Sequence, residues 1–341
     1  MSSLKATPWR LATVNMFMPL LPLIVVQGRQ VRRAMPKLAD AHGPTSGTYG
    51  RPPARLRIVV VGESTVSGIG ARTHTHSLPG RLAAALGGAL QVSVSWKAVG
   101  QSGANACAAA RLVDESLVRG AQGARGERFD CAFLALGVND VIERTPLARW
   151  KGDVAALADL LIARHDVRTV VLLGVPPMHR FPALPQPLRA FLGARAQELD
   201  AELSALAAER AELLHVPTPV EGPLQYFCAD LFHPSEAGYA AWASHTAAVA
   251  GGMIAERAGL RESLVASASA AKRKPSGVKP GIASVAHADA RDAKPADDGG
   301  PRGIARASHA PKRRHGVRRV RRTLGRRIVR YVPPWLARVM Q

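Results

Sequence analysis

The sequence predicts an α/β domain whose mainly parallel sheet is covered by helices on both faces. Short runs rich in β-branched residues recur along the chain, and stretches of helical character such as 147–164 and 187–211 separate them. Strands that alternate with helices of this length are typical of parallel sheets, because a parallel connection needs a long crossover. Five runs are predicted to be strands: 56–61, 92–96, 129–136, 168–175 and 212–216.

The first predicted strand reads LRIVVV, ends at Gly62, and is followed by Ser64 in the tetrapeptide GEST. A continuous run of this kind indicates a strand that is buried on both faces. Considered alone, Ser64 fits a helix N-cap, a turn residue, a phosphate contact or a nucleophile. Only partners elsewhere in the chain decide between these roles.

Such partners follow other parts of the predicted sheet. Gly103 lies in QSGA after the second strand, Asn139 lies in GVND after the third, and Asp230 and His233 lie in DLFHP near the end of the domain. Ligands of parallel sheets bind beyond the carboxyl ends of the strands. We therefore expect these residues to meet Ser64 at one edge of the sheet.

This set of residues suits acyl transfer. His233 has the side chain whose ordinary pKa fits a general base for Ser64, and Asp230 is suited to orient its ring. The backbone N–H groups of Ser64 and Gly103 and the side-chain amide of Asn139 are the candidate donors to an oxyanion. No cofactor and no metal ligand set is predicted.

These four blocks resemble those of the SGNH hydrolases, also called GDSL-type esterases and lipases. The resemblance covers about residues 55–251 and has the blocks in the family's order. It implies a three-layer α/β/α, flavodoxin-like fold and metal-free hydrolysis of carboxylic esters or thioesters. Two positions depart from the family's pattern, since Glu63 stands where Asp is commonest and Leu231 where Gly is frequent. Neither position is predicted to be catalytic, and Asp140 is expected to cap the helix that follows it.

The positive charge of the chain is concentrated at its two ends. Residues 51–261, the predicted hydrolase domain, have a net charge of only +2, against +5 for residues 1–50 and +14 for residues 262–341. An ordinary globular domain is therefore flanked by basic segments. The three cysteines are scattered, which argues against a disulfide framework and a structural metal.

The N-terminal segment 1–50 contains the apolar stretch 11–27, which is near the lower length limit for crossing a bilayer. No small-residue cleavage site follows it, so an uncleaved anchor or an interface-lying segment is favoured over a signal peptide. Arg29, Arg32, Arg33 and Lys37 follow it and outnumber the basic residues before it. This asymmetry predicts a domain at the cytoplasmic face of the membrane.

Residues 262–315 are predicted to be a disordered linker, and residues 316–341 a basic amphipathic helix. In the latter, Val317, Val320, Leu324 and Ile328 recur at helical spacing among seven arginines. An anionic membrane surface is the favoured partner, and nucleic acid is the alternative.

The sequence thus predicts a serine esterase that acts on acyl-lipid or lysophospholipid esters. An acyl thioesterase, an O-acetyl esterase and a catalytically silent membrane-bound scaffold are the alternatives. The proline-rich loop 181–189 is expected either to shape the acyl pocket or to serve as a rigid connector.

Overall fold

A computed structural model describes residues 17–118, 127–219 and 223–260. The predicted linker 262–315 and the predicted amphipathic helix 316–341 lie outside this part of the chain. Within it, the α-helices are α1 (Leu21–Ala34), α2 (Ser64–Ser67), α3 (Leu78–Leu90), α4 (Ala106–Val113), α5 (Val138–Glu143), α6 (Leu147–His165), α7 (Leu188–Glu209) and α8 (Glu236–Arg257). The strands are β1 (Ser46–Tyr49), β2 (Leu56–Gly62), β3 (Val94–Gly100), β4 (Cys131–Ala135), β5 (Thr169–Leu173) and β6 (Leu213–Val216).

The sheet has the strand order β1-β3-β2-β4-β5-β6, and its last five members are parallel. The predicted mainly parallel α/β fold is confirmed, but the expected count of five strands is wrong by one. The additional strand β1 pairs antiparallel with β3 at the edge of the sheet. Its sequence, SGTY, is too short and too polar to give a strand pattern, so only its pairing with β3 makes it a strand.

Helices cover both faces of the sheet, which gives three layers. Alternate strand residues point to opposite faces, as the period of two in a strand requires. Val59 and Val61 belong to the same buried cluster as residues of α4, α6 and α7 on one face, whereas Ile58 and Val60 belong to a cluster with α3 and α8 on the other. This double burial explains the unbroken apolar run of β2.

Helix α1 packs on the domain through one side. Phe17, Ile24 and Val31 are buried in the core on that side, and the rings of Phe17 and Phe191 make an edge contact at 5.5 Å. These three residues are spaced by seven, which places them on one helical face. In the part of the chain that the structure describes, no helix combines the length and hydropathy needed to cross a bilayer.

The chain after α1 also belongs to the folded body. The backbone N–H of Ala41 donates to Ser67 O at 3.0 Å, and that of His42 donates to Arg72 O at 3.0 Å. Because β1 begins at Ser46, the sheet takes up residues that precede position 51.

The packing of α1 predicts opposite outcomes for two adjacent residues. Ile24 is 5% exposed and Val25 is 45% exposed. Ile24→Ala is expected to lower the free energy of unfolding by about 2 kcal/mol or more, since it removes buried methyl groups and leaves a cavity. Val25→Ala is expected to change it by about 0.5 kcal/mol at most. Urea unfolding of both variants measures this, and equal effects would contradict the docking of α1 on the domain.

Candidate active site

The candidate site lies at the carboxyl edge of the sheet, where the strand connections change direction. From β2 the chain moves to β3 on one side and then crosses to β4 on the other, so a crevice opens beyond the end of β2. Ser64 is the first residue of the short helix α2 at this point, and Glu63 takes the N-cap position. The capping role considered for Ser64 is therefore not the one that its side chain has.

Ser64, His233 and Asp230 form a continuous chain of hydrogen bonds. Ser64 Oγ lies 3.1 Å from His233 Nε2, and His233 Nδ1 lies 2.6 Å from Asp230 Oδ2. A carboxylate only accepts, so Nδ1 carries the proton and Nε2 of the neutral ring is free to accept from the serine hydroxyl. The structure thus brings together three residues whose sequence positions are up to 169 apart.

The loop around Asp230 fixes the direction of its carboxylate. Asp230 Oδ1 accepts hydrogen bonds from the backbone N–H groups of Phe232 and His233 at 2.9 Å, and from Cys228 Sγ at 3.1 Å. Leu231 has a φ of 57°, a left-handed conformation that costs a non-glycine residue energy and that glycine adopts readily. Leu231 stands where the SGNH hydrolases frequently have Gly. A left-handed conformation at this position accounts for that preference, and Leu231 adopts it at an energetic cost.

The environment keeps Asp230 ionised. Burial by itself would raise its pKa, but the hydrogen bonds and charge of His233 outweigh burial and hold the pKa of Asp230 below its ordinary value. The neighbouring thiol behaves in the opposite way, since burial and the charge of Asp230 raise the pKa of Cys228 to about 12. Cys228 is therefore a hydrogen-bond donor to Asp230 and has little thiolate character.

Two backbone N–H groups named as candidate oxyanion donors have no protein acceptor among the described residues. They belong to Ser64 and Gly103. Gly103 has a φ of 84°, which favours glycine, and an added Cβ would meet no atom within 4 Å. The open space around Gly103 leaves room for a substrate oxygen to approach its backbone N–H.

The Asn139 side chain, by contrast, is already engaged. Its Nδ2 group donates to Glu63 Oε2 and, at 3.0 Å, to Ala104 O. These contacts use both of its N–H bonds, so donation to an oxyanion requires that one of them be exchanged.

Glu63, to which the sequence assigned no role, organises this loop. Its carboxylate accepts from the backbone N–H groups of Val138 and Asn139 at 3.0 Å each, in addition to the Asn139 side chain. Burial raises the pKa of Glu63 to about 8, although the hydrogen bonds from Asn139 and Val138 act in the other direction. The only sequence signal for this residue is its position next to Ser64.

The sequence predicts that Asp140 caps the helix that follows it, and the structure shows that it does not. It lies within α5, where its Oδ2 accepts from the backbone N–H of Ala106 at 3.0 Å and its Oδ1 from Thr145 Oγ1 at 2.8 Å. It therefore stabilises the first turn of α4, which tertiary packing brings next to it. Ser235 does cap the last helix, since its Oγ accepts from Gly238 N at 3.2 Å.

A second network, not predicted from the sequence, joins the N-terminal segment to the site. Asp40 Oδ1 lies 2.8 Å from both Ser67 Oγ and Ser102 Oγ. Ser67 belongs to α2 and Ser102 precedes Gly103, so this carboxylate links the helix that carries Ser64 to the loop that carries Gly103. No motif or periodicity marks Asp40.

A cavity of about 780 Å³ opens beside Ser64 and His233. Its lining is mostly apolar and includes Phe181, Phe227, Phe232 and Trp242. The ring of Phe232 packs edge-on against Phe181 at 5.0 Å and against His233 at 5.1 Å. Phe181, the first residue of the proline-rich loop 181–189, thus contributes to the wall of the cavity.

No cluster of three or more potential metal ligands occurs among the residues that the structure describes. The groups gathered around Ser64 are those of nucleophilic catalysis: a hydroxyl, an oriented imidazole, a buried carboxylate and free N–H donors.

The sequence matches the family model described as "GDSL-like Lipase/Acylhydrolase family" over residues 60–241, which is more than half of the chain. The chain belongs to this family. The GDSL-like domain thus includes all the candidate residues, from Ser64 to His233, and the protein is a hydrolase that acts on ester bonds. A comparison with curated proteins found no match.

Several solved structures are similar to this GDSL-family chain. A member of the lipolytic protein G-D-S-L family from Veillonella parvula is 16% identical, with a TM-score of 0.41, and the match covers 56% of this chain and 95% of that one. A lipase/acylhydrolase from Enterococcus faecalis is 16% identical, with a TM-score of 0.42, and the match covers 58% of this chain and 96% of that one. The psychrotrophic esterase EstA from a Pseudoalteromonas species is 14% identical, with a TM-score of 0.40, and the match covers 56% of this chain and 93% of that one.

The buried Glu63 predicts a pH dependence of stability for this GDSL-family domain. An acid with a folded-state pKa near 8 holds its proton in the folded state between about pH 4.5 and 8, whereas the unfolded chain releases it. Its contribution to stability is therefore present below about pH 4.5 and is lost as the pH rises to about 8. Glu63→Gln, which imitates the protonated form, is expected to lack this loss.

Urea unfolding at about pH 5 and about pH 8.5 measures the effect. The difference in unfolding free energy between wild type and Glu63→Gln is expected to change by a few kcal/mol, since each unit of pKa displacement corresponds to about 1.4 kcal/mol. A difference that is the same at both pH values would show that Glu63 is ionised throughout.

Proposed function

We propose that this protein is a serine ester hydrolase that works through an acyl-enzyme intermediate, with Ser64 as nucleophile, His233 as general base and acid, and Asp230 as the group that orients His233. The observation that carries this proposal is the unbroken chain of hydrogen bonds from Ser64 through His233 to the buried Asp230.

The reaction runs in two halves. Ser64 Oγ attacks the ester carbonyl carbon as its proton passes to His233 Nε2, and the bond to the alcohol oxygen then breaks as His233 returns that proton to the leaving group. Water next attacks the acyl-enzyme and gives a proton to His233. Ser64 leaves with that proton and the carboxylic acid is released.

The developing negative charge on the carbonyl oxygen needs donors that are already in place. The backbone N–H groups of Ser64 and Gly103 fit this requirement, because neither has an acceptor among the described residues. Asn139 contributes a third donor when its side chain leaves one of its two present acceptors. Losing one such donor typically costs about 3 to 4 kcal/mol of transition-state stabilisation.

The cavity supports a substrate with an acyl chain and an anionic head group. Its volume of about 780 Å³ and its aromatic lining suit an acyl chain better than an acetyl group. Arg180 is exposed and is the one arginine or lysine that lines it within the described part of the chain. A lysophospholipid places a phosphate beyond the ester bond, which such a guanidinium binds well.

A membrane setting supplies such substrates. We propose that the protein acts at the cytoplasmic face of an anionic membrane, with the basic segment 316–341 as an additional membrane contact. The charge of the two ends, +5 and +14, supports this setting.

Replacement of Ser64 tests the mechanism. Ser64→Ala is expected to lower the rate on a chromogenic short-chain ester by about four to six orders of magnitude, because the other triad members have no nucleophile to activate. The matched control is Ser204→Ala on α7, an exposed serine that lies outside the cavity lining and is expected to keep the wild-type rate.

A phosphonate probe followed by peptide mapping identifies the nucleophile directly. Labelling of a residue other than Ser64, or an unchanged rate in Ser64→Ala, would refute the mechanism. A series of esters of increasing chain length tests the substrate, and a preference for acetyl over medium chains would refute the acyl-lipid assignment.

Arg180 is expected to set the preference for an anionic head group. Arg180→Gln should raise the KM for a lysophospholipid about five- to tenfold, through loss of a charged hydrogen bond, and leave the KM for an uncharged acyl ester within about twofold. Arg168→Gln on the exposed start of the β5 region is the control for total charge. Equal effects of Arg180→Gln on both esters would rule out a role in head-group binding.

A further inference from the structure

The outward side of the N-terminal helix is a concentrated apolar surface. Nine large hydrophobic side chains are exposed in the described part of the chain, and five of them fall within residues 18–26: Met18, Leu20, Leu23, Val25 and Val26. Their exposed fractions run from 38% to 58%, while Ile24 among them is buried against the domain. Scattered exposed apolar residues are normal, whereas a contiguous group marks an interaction surface.

The same helix changes character along its axis. Its second half and the residues after it carry Arg29, Arg32, Arg33 and Lys37, which are all exposed and form no ion pair with a described residue. No acidic residue occurs before Asp40, whose carboxylate is bound by Ser67 and Ser102. An apolar first half thus adjoins a basic second half on one exposed surface.

We propose that this surface, formed by residues 18–37, docks on an anionic lipid bilayer. The apolar first half enters the acyl region at shallow depth, and the basic second half meets the lipid phosphates. A symmetric contact with a second copy that covered the whole surface would bring the basic halves of two helices, or a basic half and an apolar half, against each other. Lipid satisfies both halves at once.

The docking surface is joined directly to the loop that shapes the active-site cavity. Gln27 Nε2 donates to Gln186 O at 2.7 Å, and Gln27 Oε1 accepts from the backbone N–H of Leu188 at 3.1 Å. The loop held in this way begins at Phe181, which lines the cavity. The helix that bears the docking surface is therefore hydrogen-bonded to the loop whose first residue lines the cavity. The link between docking and an acyl-lipid substrate rests on the proposed function.

Flotation of the full-length protein with vesicles tests the docking. The vesicles are phosphatidylcholine alone or phosphatidylcholine with a minority of phosphatidylglycerol. Leu23→Ser/Val26→Ser is expected to weaken binding to the anionic vesicles about tenfold or more, through loss of buried apolar area. Arg32→Gln/Arg33→Gln should weaken it to a similar extent, since each basic residue near such a surface contributes about fivefold, and phosphatidylcholine vesicles should bind little of any variant.

Matched controls separate the surface from general effects of polarity and charge. Val249→Ser/Met253→Ser changes two exposed apolar residues of α8, and Arg111→Gln/Arg168→Gln removes the same charge elsewhere. Both pairs are expected to bind like wild type, and urea unfolding confirms that every variant is folded. Wild-type binding by the two α1 variants, or an equal loss in the control pairs, would overturn the proposal.

Sedimentation and two hydrolysis assays distinguish membrane docking from dimer formation and from loss of catalysis. A change of oligomeric state in the α1 variants, seen by sedimentation, with unaltered vesicle binding would overturn the proposal in favour of a dimer surface. Hydrolysis of a soluble short ester is expected to be the same in wild type and all variants, while hydrolysis of a vesicle-borne acyl ester should fall with the α1 variants. Absence of all ester hydrolysis would refute the proposed function and leave the vesicle-binding result standing.

Discussion

The close approach of α2 to the ends of the central strands is the constraint on which the site depends. A Cβ at Gly62 would lie 2.7 Å from Val66 Cγ2, and a Cβ at Gly100 would lie 2.7 Å from Val66 Cβ. Glycine at the last positions of β2 and β3 therefore allows α2 to cross directly over the sheet edge. This crossing places Ser64 at the crevice, where its hydroxyl lies within hydrogen-bond distance of His233. The loops that carry the other site residues surround this position.

Two buried carboxylates serve this arrangement in different ways. Asp230 is held ionised by His233, so it can orient and stabilise a charged imidazole. Glu63 is buried, and burial favours its neutral form even though its carboxylate accepts from three N–H groups. Environments that separate the pKa values of neighbouring acids are typical of active sites. Here one acid acts on the base and the other holds the loop of Asn139.

The described part of the N-terminal segment, residues 17–50, belongs to the hydrolase body. It supplies a buried helix face, a carboxylate that ties α2 to the Gly103 loop, and an edge strand of the sheet. Its outward side has five of the nine exposed large hydrophobic side chains of the described chain, and Gln27 joins α1 to the loop that begins at Phe181. Residues 17–50 thus link the proposed docking surface to the groups around Ser64.

Local sequence determined the parallel strands and marked Ser64, Asp230 and His233 as candidate site residues. Buried parallel strands need continuous apolar runs, and Ser64 directly follows such a run, so both leave a pattern in neighbouring residues. Asp230 and His233 follow β6 at a distance and were marked by the motif that contains them. Only the tertiary structure decided the sixth strand, the hydrogen bonds of Glu63 and Asp40, the hydrogen bond that Asp140 accepts from Ala106 at the start of α4, and the buried side of α1. Each of these depends on a contact between distant segments, where one side chain meets a backbone group or an edge strand. Such contacts impose no period on the sequence, which is why the pattern of residues did not contain them.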